Sequence, residues 1–358
     1  MLKPREVIRA LPEYHPPLAG RAGLRLDFNE NTVGCSPRVL ERVQRVTAED
    51  LARYPERQSV EEKAAKFLGV SADELLLTNG VDEAIHLLCQ TFLGPDDDAL
   101  IVAPTYSMYR IYMMAAGAQV REIRSGPDFR FPINELCNSV GDRTGLIAIA
   151  NPNNPTGTLA ASDEVRRLAA SARSAAVLVD EAYFEFCGQT GLSLLEDCSN
   201  LFVTRTFSKA YGLAGLRIGA LIGSRDHMAS VRLACSPYNV NAVALACLPA
   251  AIEDREYVQQ YVTEVLHSRN RLEMFLREHE IRFWPSQANF VLFRAGAGRD
   301  DAKAFVETMR KQGILVRDRS SDYGCEGCVR ITLGTREQTD RLLDALQQTL
   351  PVQQGVAR

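Results

Sequence analysis

The sequence predicts an α/β protein with a large domain built on a mostly parallel sheet between helices, followed by a smaller α+β domain. From about residue 36, short and nearly continuous apolar runs alternate with amphipathic helical stretches, a pattern typical of parallel strands buried on both faces. The chain of 358 residues also exceeds one ordinary hydrophobic core, so two domains are expected. In such a sheet, ligands bind at the carboxyl ends of the strands.

Residues 1–35 are predicted to form an extended N-terminal arm. Proline and glycine recur between residues 11 and 23, which is typical of irregular chain. A short strand-like run at 24–28 ends the arm, and the tripeptide Asn-Glu-Asn follows at 29–31. We expect an arm of this kind to lie across its own subunit or across a neighbouring one.

The large domain is predicted over residues 36–245. Apolar runs predict its strands at 75–77, 100–102, 145–149, 175–179, 201–203 and 218–222. Most of these runs are separated by helical stretches at about 105–116, 162–173 and 226–234. Ser59 and Glu62 have the spacing of a capping box, which predicts that a helix begins there.

The smaller domain is predicted over residues 246–358. A long helical region from about 240 to 279, kinked near Pro249, introduces it. The later strands are predicted at 288–293, 314–316 and 328–333, with helices near 300–312 and 335–349. Thr335 and Gln338 have capping-box spacing at the start of the last helix.

The composition excludes several classes of protein. Hydrophobic residues make up 46% and charged residues 24% of the chain, as in ordinary globular proteins, and the net charge of -4 gives no reason to expect nucleic acid or an anionic membrane as partner. No apolar run approaches the length of a membrane span, and the N-terminus lacks the apolar stretch of a signal peptide. Nine scattered cysteines are typical of reduced thiols in a cytoplasmic protein. Cys325 and Cys328 form a lone CxxC, for which we expect no metal.

One glycine-rich segment, residues 206–219, contains a lysine that could act as a nucleophile. Lys209 follows a strand-like run and could form a Schiff base with a carbonyl cofactor. Ser208 and Arg217 flank it and could hold an attached phosphate, because the planar guanidinium contacts phosphate oxygens in pairs. By itself, the segment is equally compatible with a surface Lys and Arg beside a flexible loop.

Four further motifs fall at predicted strand ends. Asn79-Gly80-Val81-Asp82 is a glycine turn that runs into a helix, whose free N–H groups suit a phosphate. Tyr106 follows the next strand and could stack on a flat cofactor, although packing on the sheet edge is the commoner role of such a ring. Asn154 lies in a rigid turn of Asn and Pro in which an X-Pro bond can be cis. Asp180 ends a buried strand, where a carboxylate needs a positive partner.

Taken together, these motifs resemble those of the fold-type I aminotransferases, which depend on pyridoxal 5'-phosphate (PLP). The resemblance covers essentially the whole chain, and within that superfamily it is greatest to the histidinol-phosphate aminotransferases of histidine biosynthesis. Its signals are the Asn-Glu-Asn segment and the runs 53–55, 78–85, 104–109, 153–157, 180–183, 208–217 and 329–334.

The resemblance implies a role for each matching residue. Lys209 binds PLP covalently and then moves the substrate proton, and Asp180 pairs with the pyridine nitrogen. Tyr183 and Asn154 contact the ring oxygen, and Tyr106 stacks on the ring. The phosphate is expected to contact Gly80, Val81, Asp82, Ser208 and Arg217, together with Tyr54 of a partner subunit. The last of these implies a homodimer.

The substrate residues follow from the same resemblance. Arg330 is expected to bind the α-carboxylate of the amino donor glutamate, and Arg317 the phosphate of histidinol phosphate. Tyr14 of the arm and Asn31 are expected to reach the substrate. The arm departs from the family pattern, since Thr32 and Cys35 stand where proline residues are usual.

Other functions remain open from the sequence. An aromatic or broad-range aminotransferase, or an enzyme similar to threonine-phosphate decarboxylases, shares the cofactor residues. A PLP-binding transcription regulator is disfavoured, because the arm is too short for a DNA-binding module and lacks a basic recognition helix.

Overall fold

A computed structural model describes residues 2–11 and 20–350. The described residues form thirteen strands, numbered in chain order: β1 (Leu24–Arg25), β2 (Leu75–Thr78), β3 (Asp98–Ala103), β4 (Gln119–Arg124), β5 (Thr144–Ala150), β6 (Ala176–Asp180), β7 (Leu201–Thr206), β8 (Gly219–Gly223), β9 (Phe283–Trp284), β10 (Phe290–Arg294), β11 (Ile314–Leu315), β12 (Arg317–Asp318) and β13 (Cys328–Thr332).

The α-helices of the same ranges are α1 (Glu6–Arg9), α2 (Pro37–Gln44), α3 (Ala48–Ala52), α4 (Gln58–Leu68), α5 (Gly80–Phe92), α6 (Ser107–Ala116), α7 (Ile133–Ser139), α8 (Ser162–Ser171), α9 (Arg225–Ala234), α10 (Ala242–Glu253), α11 (Arg255–Glu278), α12 (Arg299–Lys311) and α13 (Arg336–Thr349). None of these helices combines the length and the apolar character that crossing a bilayer requires.

The central sheet has seven strands in the order β2-β8-β7-β6-β5-β3-β4. All neighbours from β7 to β4 run parallel, whereas β8 is antiparallel to both β7 and β2. Five of its strands are buried along their whole length, and apolar clusters pack on both faces. The predicted mostly parallel sheet is therefore confirmed.

A second, four-stranded antiparallel sheet has the order β12-β13-β10-β9. The arm is attached beside it, because β1 pairs in parallel with β11. Thr332 N in β13 also donates a hydrogen bond to Leu26 O. The backbone just after β1 is thereby placed between the two sheets, next to the residues that later form the site.

Two local predictions differ from the structure. The helix around Ser59 begins at Gln58, and the Ser59 hydroxyl donates to Glu56 instead of capping the helix. The helical region at 240–279 is divided at Asp254, whereas Pro249 lies inside α10. Thr335 does form the predicted capping box with Gln338.

Candidate active site

A cavity of about 710 Å³ lies between the two sheets. One wall is formed where the parallel strands end, by Ala150 of β5, Asp180 of β6 and Lys209 just after β7. The opposite wall is formed by Arg317 and Arg330 of the smaller sheet. The chain segment around Phe28 closes a third side, so the cavity is lined by both sheets and the end of the arm.

Lys209 lies in the loop that follows β7, and its side chain is directed into the cavity. Its Nζ donates a hydrogen bond to Phe28 O at 3.1 Å. Burial, as the largest cause, and the positive charge of Arg330 together lower the pKa of the amine to about 8, while the negative charge of Glu30 opposes the shift. A lysine with this pKa is neutral in an appreciable fraction of molecules near neutral pH, which a nucleophilic amine requires.

Asp180 is the last residue of β6 and is almost completely buried. Its Oδ2 accepts a hydrogen bond from the Tyr109 hydroxyl at 2.6 Å, and its Oδ1 accepts from Thr204 Oγ1 at 3.0 Å and Ala182 N at 3.2 Å. Burial raises the pKa of the carboxyl, and these three donors partly offset the rise. A cation placed against the carboxylate in the cavity would stabilise its charged form.

Glu181, the acidic residue next to Asp180, is paired with a cation inside the protein. Glu181 pairs with Arg205 at 2.8 Å, with both side chains at most 5% exposed, and also accepts a hydrogen bond from the Thr190 hydroxyl. Its charge is therefore neutralised inside the protein. Of the two adjacent carboxylates, Asp180 is the one that lines the cavity.

Tyr183 and Asn154 also line the cavity. The Tyr183 hydroxyl accepts a hydrogen bond from Asn29 Nδ2 at 2.9 Å. Arg330 donates to Asn154 Oδ1 at 2.6 Å and to the backbone oxygen of Asp27 at 2.7 Å. These contacts hold side chains from both sheets and from the arm against one another.

At the other end of the cavity, the start of α5 faces Arg217. Arg217 Nη2 donates to Asp82 Oδ2 at 2.9 Å, and the Tyr106 hydroxyl donates to Asp82 Oδ1 at 2.8 Å. Gly80 has a φ of 73°, and a Cβ there would lie 2.6 Å from Arg217 Nη2. The backbone conformation therefore favours glycine, and a larger residue would also have to displace the Arg217 guanidinium. Ser208 is buried beside this group and also lines the cavity.

Three arginines line the wall formed by the smaller sheet. Arg317 lies directly opposite Arg330 in the β12–β13 pairing, and Arg319 follows two residues later. Burial and the positive charge of Arg319 lower the pKa of Arg330 to about 9, with a smaller contribution from Arg317. Such a cluster of cations favours the binding of an anion.

Tyr54 and Asn31, two of the residues expected at the site, do not line this cavity. Tyr54 is 77% exposed and stacks on Tyr238 with ring centroids 4.1 Å apart. The Asn31 side chain holds backbone, since Nδ2 donates to Ala210 O and Oδ1 accepts from the nitrogens of Val33 and Gly34; its expected contact with the substrate stays a prediction. Tyr14 lies outside the described residues.

The structure also adds residues that the sequence reasoning missed. Tyr109 and Thr204 hydrogen-bond Asp180, and Asn29 hydrogen-bonds Tyr183. Tyr109 follows Tyr106 at a spacing of three residues at the start of a helix, so a shared face could have been predicted. Thr204 lies directly opposite Asp180 in the β6–β7 pairing, a register that the sequence does not reveal.

The CxxC pair belongs to a small buried cluster with Phe129, Trp284 and Leu292. Cys325 and Cys328 are both buried and are not joined by a disulfide. Within residues 2–11 and 20–350, no group of three or more His, Cys, Asp or Glu side chains has the arrangement of a metal site.

Comparison with known proteins identifies the family. The family model for class I and II aminotransferases matches residues 21–346. The chain belongs to the class I and II aminotransferase family. A histidinol-phosphate aminotransferase of Geobacillus sp. (strain WCH70) is 35% identical to this aminotransferase, over 97% of this chain and 98% of the relative. Histidinol-phosphate aminotransferase 2 of Legionella pneumophila (strain Lens) is 34% identical, over 96% and 97% of the two chains.

A solved structure shows the same fold. The histidinol-phosphate aminotransferase of Sinorhizobium meliloti, in complex with PLP, superposes with a TM-score of 0.89 at 24% identity and covers 98% of both chains. The fold-type I architecture expected from the motifs is confirmed. As a class I and II aminotransferase, the chain is a PLP-dependent transferase.

Proposed function

We propose that this aminotransferase transfers an amino group between histidinol phosphate and 2-oxoglutarate, with imidazole-acetol phosphate and glutamate as the other pair, in histidine biosynthesis. The observation that carries the proposal is the wall of Arg317, Arg319 and Arg330 opposite Lys209. Each substrate pair presents an anion, and a guanidinium binds both carboxylate and phosphate in a bidentate manner. The full-length relatives named above, which are histidinol-phosphate aminotransferases, support the same substrate.

The described residues fit PLP. Asp180 offers a buried carboxylate to the protonated pyridine nitrogen, and Tyr106 offers an aromatic face to the ring. The start of α5 at Gly80, Val81 and Asp82, together with Ser208 and Arg217, offers N–H, hydroxyl and guanidinium donors to the phosphate. When bound, PLP supplies an electron sink for the carbanion formed by removal of the substrate Cα proton.

Lys209 is proposed to act as the covalent anchor and then as the base that moves the proton. Its lowered pKa keeps part of the amine neutral near neutral pH, so it can accept a proton from the substrate. The backbone oxygen of Phe28 accepts a hydrogen bond from Nζ and so holds the amine in the cavity. Tyr183 and Asn154 are proposed to hydrogen-bond the oxygen of the ring and so fix the ring plane.

Arg330 is proposed to bind the carboxylate of glutamate, and Arg317 the phosphate of the alternate substrate. Arg330 is held on both sides, by Asn154 and by the backbone of Asp27, so its plane is fixed before substrate arrives. Arg317 lies over the Phe28 ring at 5.3 Å, a position that leaves its guanidinium in the cavity. Tyr14 remains part of the proposal as an arm residue that reaches the substrate.

A homodimer is proposed for the active form. Several large apolar side chains are exposed in one stretch of chain around Tyr54, including Leu40, Leu51 and Tyr54 itself. Exposed apolar patches of this kind are typical of protein interfaces. Covering them with a second copy would allow Tyr54 to reach a neighbouring phosphate site.

We further propose a cytoplasmic location, and the division into an arm (1–35), a large domain (36–245) and a small domain (246–358).

The proposal is tested by product analysis. The holoenzyme is incubated with histidinol phosphate and 2-oxoglutarate, and glutamate formation is measured with Lys209→Ala as the matched control. Glutamate formed only by the wild-type enzyme is expected. Absence of glutamate in both samples would refute the proposed substrate. Release of carbon dioxide from threonine phosphate in a separate incubation would support the decarboxylase-like alternative.

A further inference from the structure

Arg319 is placed on the same side of the sheet as the two expected substrate arginines. Arg317 faces Arg330 across β12 and β13, and Arg319 N continues the ladder by donating to Cys328 O at 3.0 Å. Residues two positions apart on an extended strand point to the same face. All three side chains line the cavity.

The charges of this wall are not balanced by the protein. Arg319 forms an ion pair with Asp322, and both side chains are less than a quarter exposed. Arg330 contacts only neutral oxygens, from Asn154 and Asp27. Within the described ranges, no carboxylate forms an ion pair with Arg317 or Arg330, so three guanidinium groups share the single charge of Asp322. The excess is about two positive charges, which equals the charge of a phosphate monoester near neutral pH.

The same wall contains buried donors without acceptors. The Nε atoms of Arg319 and Arg330 are both buried and have no hydrogen-bond partner among residues 2–11 and 20–350. A buried N–H that is left unpaired is costly, particularly on a charged group. A ligand with several oxygen acceptors would offset this cost by binding the same guanidinium groups through N–H donors that face the cavity.

We propose that Arg319, positioned by Asp322, is a specificity-determining residue that favours a phosphorylated substrate over a carboxylate. The inference rests on the proposed function and adds to it a third arginine. A carboxylate has two oxygens and one charge, which Arg330 with its fixed plane can satisfy in a bidentate manner. A phosphate has a third oxygen and a second charge, and Arg319 supplies the additional donor and cation.

Asp322 has the role of holding this guanidinium in place. Its backbone N donates to Arg319 O at 2.9 Å, which makes the turn that returns the carboxylate to the arginine. Burial raises the pKa of Asp322, while the positive charges of Arg319, Arg330 and Arg317 oppose the rise. The carboxylate therefore depends on the arginines for its charge, and the cluster acts as one unit.

The test compares both substrates in the holoenzymes of wild type, Arg319→Gln, Arg319→Lys and the control Arg310→Gln. Arg310 is an exposed arginine of α12 and lies outside the cavity. For Arg319→Gln, kcat/KM for histidinol phosphate is expected to fall about 10- to 100-fold, mainly through KM, because a charged hydrogen bond is lost. The glutamate reaction should change less than about twofold, and Lys should restore part of the loss. Equal losses with both substrates, or no loss, would overturn the inference.

A second measurement separates this inference from the proposed function. Inorganic phosphate is tested as an inhibitor of the glutamate half-reaction of the holoenzymes, in which the cofactor's own phosphate site is filled. We expect the inhibition constant to rise at least about fivefold in Arg319→Gln and to stay unchanged in Arg310→Gln. If wild type does not convert histidinol phosphate but its inhibition depends on Arg319, the substrate proposal fails and the anion site stands. Unchanged inhibition in Arg319→Gln overturns the role of Arg319 in either case.

Discussion

Replacing Arg330 with Gln should raise the pKa of the Lys209 amine. In the wild-type protein this pKa is about 8 instead of the ordinary 10.5, with burial as the largest cause and Arg330 as the next. At pH 7 a pKa of 8 leaves roughly one amine in ten neutral, against roughly one in 3,000 for an ordinary lysine. The change removes a like charge close to the amine, so we expect the pKa to rise by about one unit.

The assay is the rate at which the apoenzyme captures PLP as a function of pH. Only the neutral amine attacks the aldehyde, so the rate rises with pH and levels off above the pKa of Lys209. Visible absorbance of the lysine-bound cofactor reports the capture. The wild-type profile should have its midpoint near pH 8, and the Arg330→Gln profile should be displaced upward.

A variant that is expected to shift the pKa of Lys209 in the opposite direction controls for general disturbance of the site. Glu30 raises the pKa of Lys209 by its negative charge, so Glu30→Gln should move the midpoint downward. Opposite displacements in the two variants cannot arise from loosened packing alone. The electrostatic explanation would be refuted if Arg330→Gln left the midpoint unchanged or lowered it.

Three further outcomes are expected. Lys209→Met should raise the free energy of unfolding of the apoenzyme by about 2 kcal/mol below pH 8, because it removes a buried amine whose pKa is depressed. This gain in stability should shrink between pH 8 and 10.5. Denaturant unfolding at several pH values would contradict the prediction if the gain grew with pH. Arg317→Ala should reduce kcat/KM for histidinol phosphate about 10- to 100-fold while sparing glutamate, and steady-state kinetics with equal losses would remove its special role. Tyr109→Phe deletes a donor to Asp180, so the pKa of that carboxyl should rise further and transamination should fall about tenfold; unchanged rates would show that this hydrogen bond is dispensable.

The central strands could be predicted from the sequence because they are buried on both faces. Runs such as 201–203 and 175–179 are apolar throughout, so they can be recognised as strands without knowing which side chains point to which face of the sheet. The edge strand β4 was missed because its sequence, Gln-Val-Arg-Glu-Ile-Arg, has only two apolar residues, which are three positions apart and do not alternate with polar ones. An edge strand needs only one neighbour and can carry such a sequence.

The site was predictable to the extent that its residues follow strands. Asp180 and Lys209 both come at the ends of buried strands, and parallel pairing places those ends together. Arg319 could not be selected in this way, since its relation to Arg330 depends on the antiparallel register of β12 and β13. Tyr54 was assigned by resemblance. It does not line the cavity of its own subunit, so the assignment requires a partner subunit.

The break at Asp254 shows a further limit of sequence reasoning. Proline is a strong helix breaker, so the kink was expected near Pro249. Pro249 is nevertheless inside α10, and the break comes where Asp254 leaves the helical conformation at φ -89° and ψ 60°. The Asp254 carboxylate accepts a hydrogen bond from the Ser36 hydroxyl at the start of α2, a long-range contact that helix propensity does not describe.

The measurement that tests the central proposal most directly is a comparison of kcat/KM for histidinol phosphate, phenylalanine and tyrosine with the same holoenzyme and 2-oxoglutarate as acceptor. An arginine wall with about two excess positive charges predicts that the phosphorylated substrate gives the highest value. Higher values for the aromatic amino acids would contradict the proposal and identify the enzyme as an aromatic or broad-range aminotransferase.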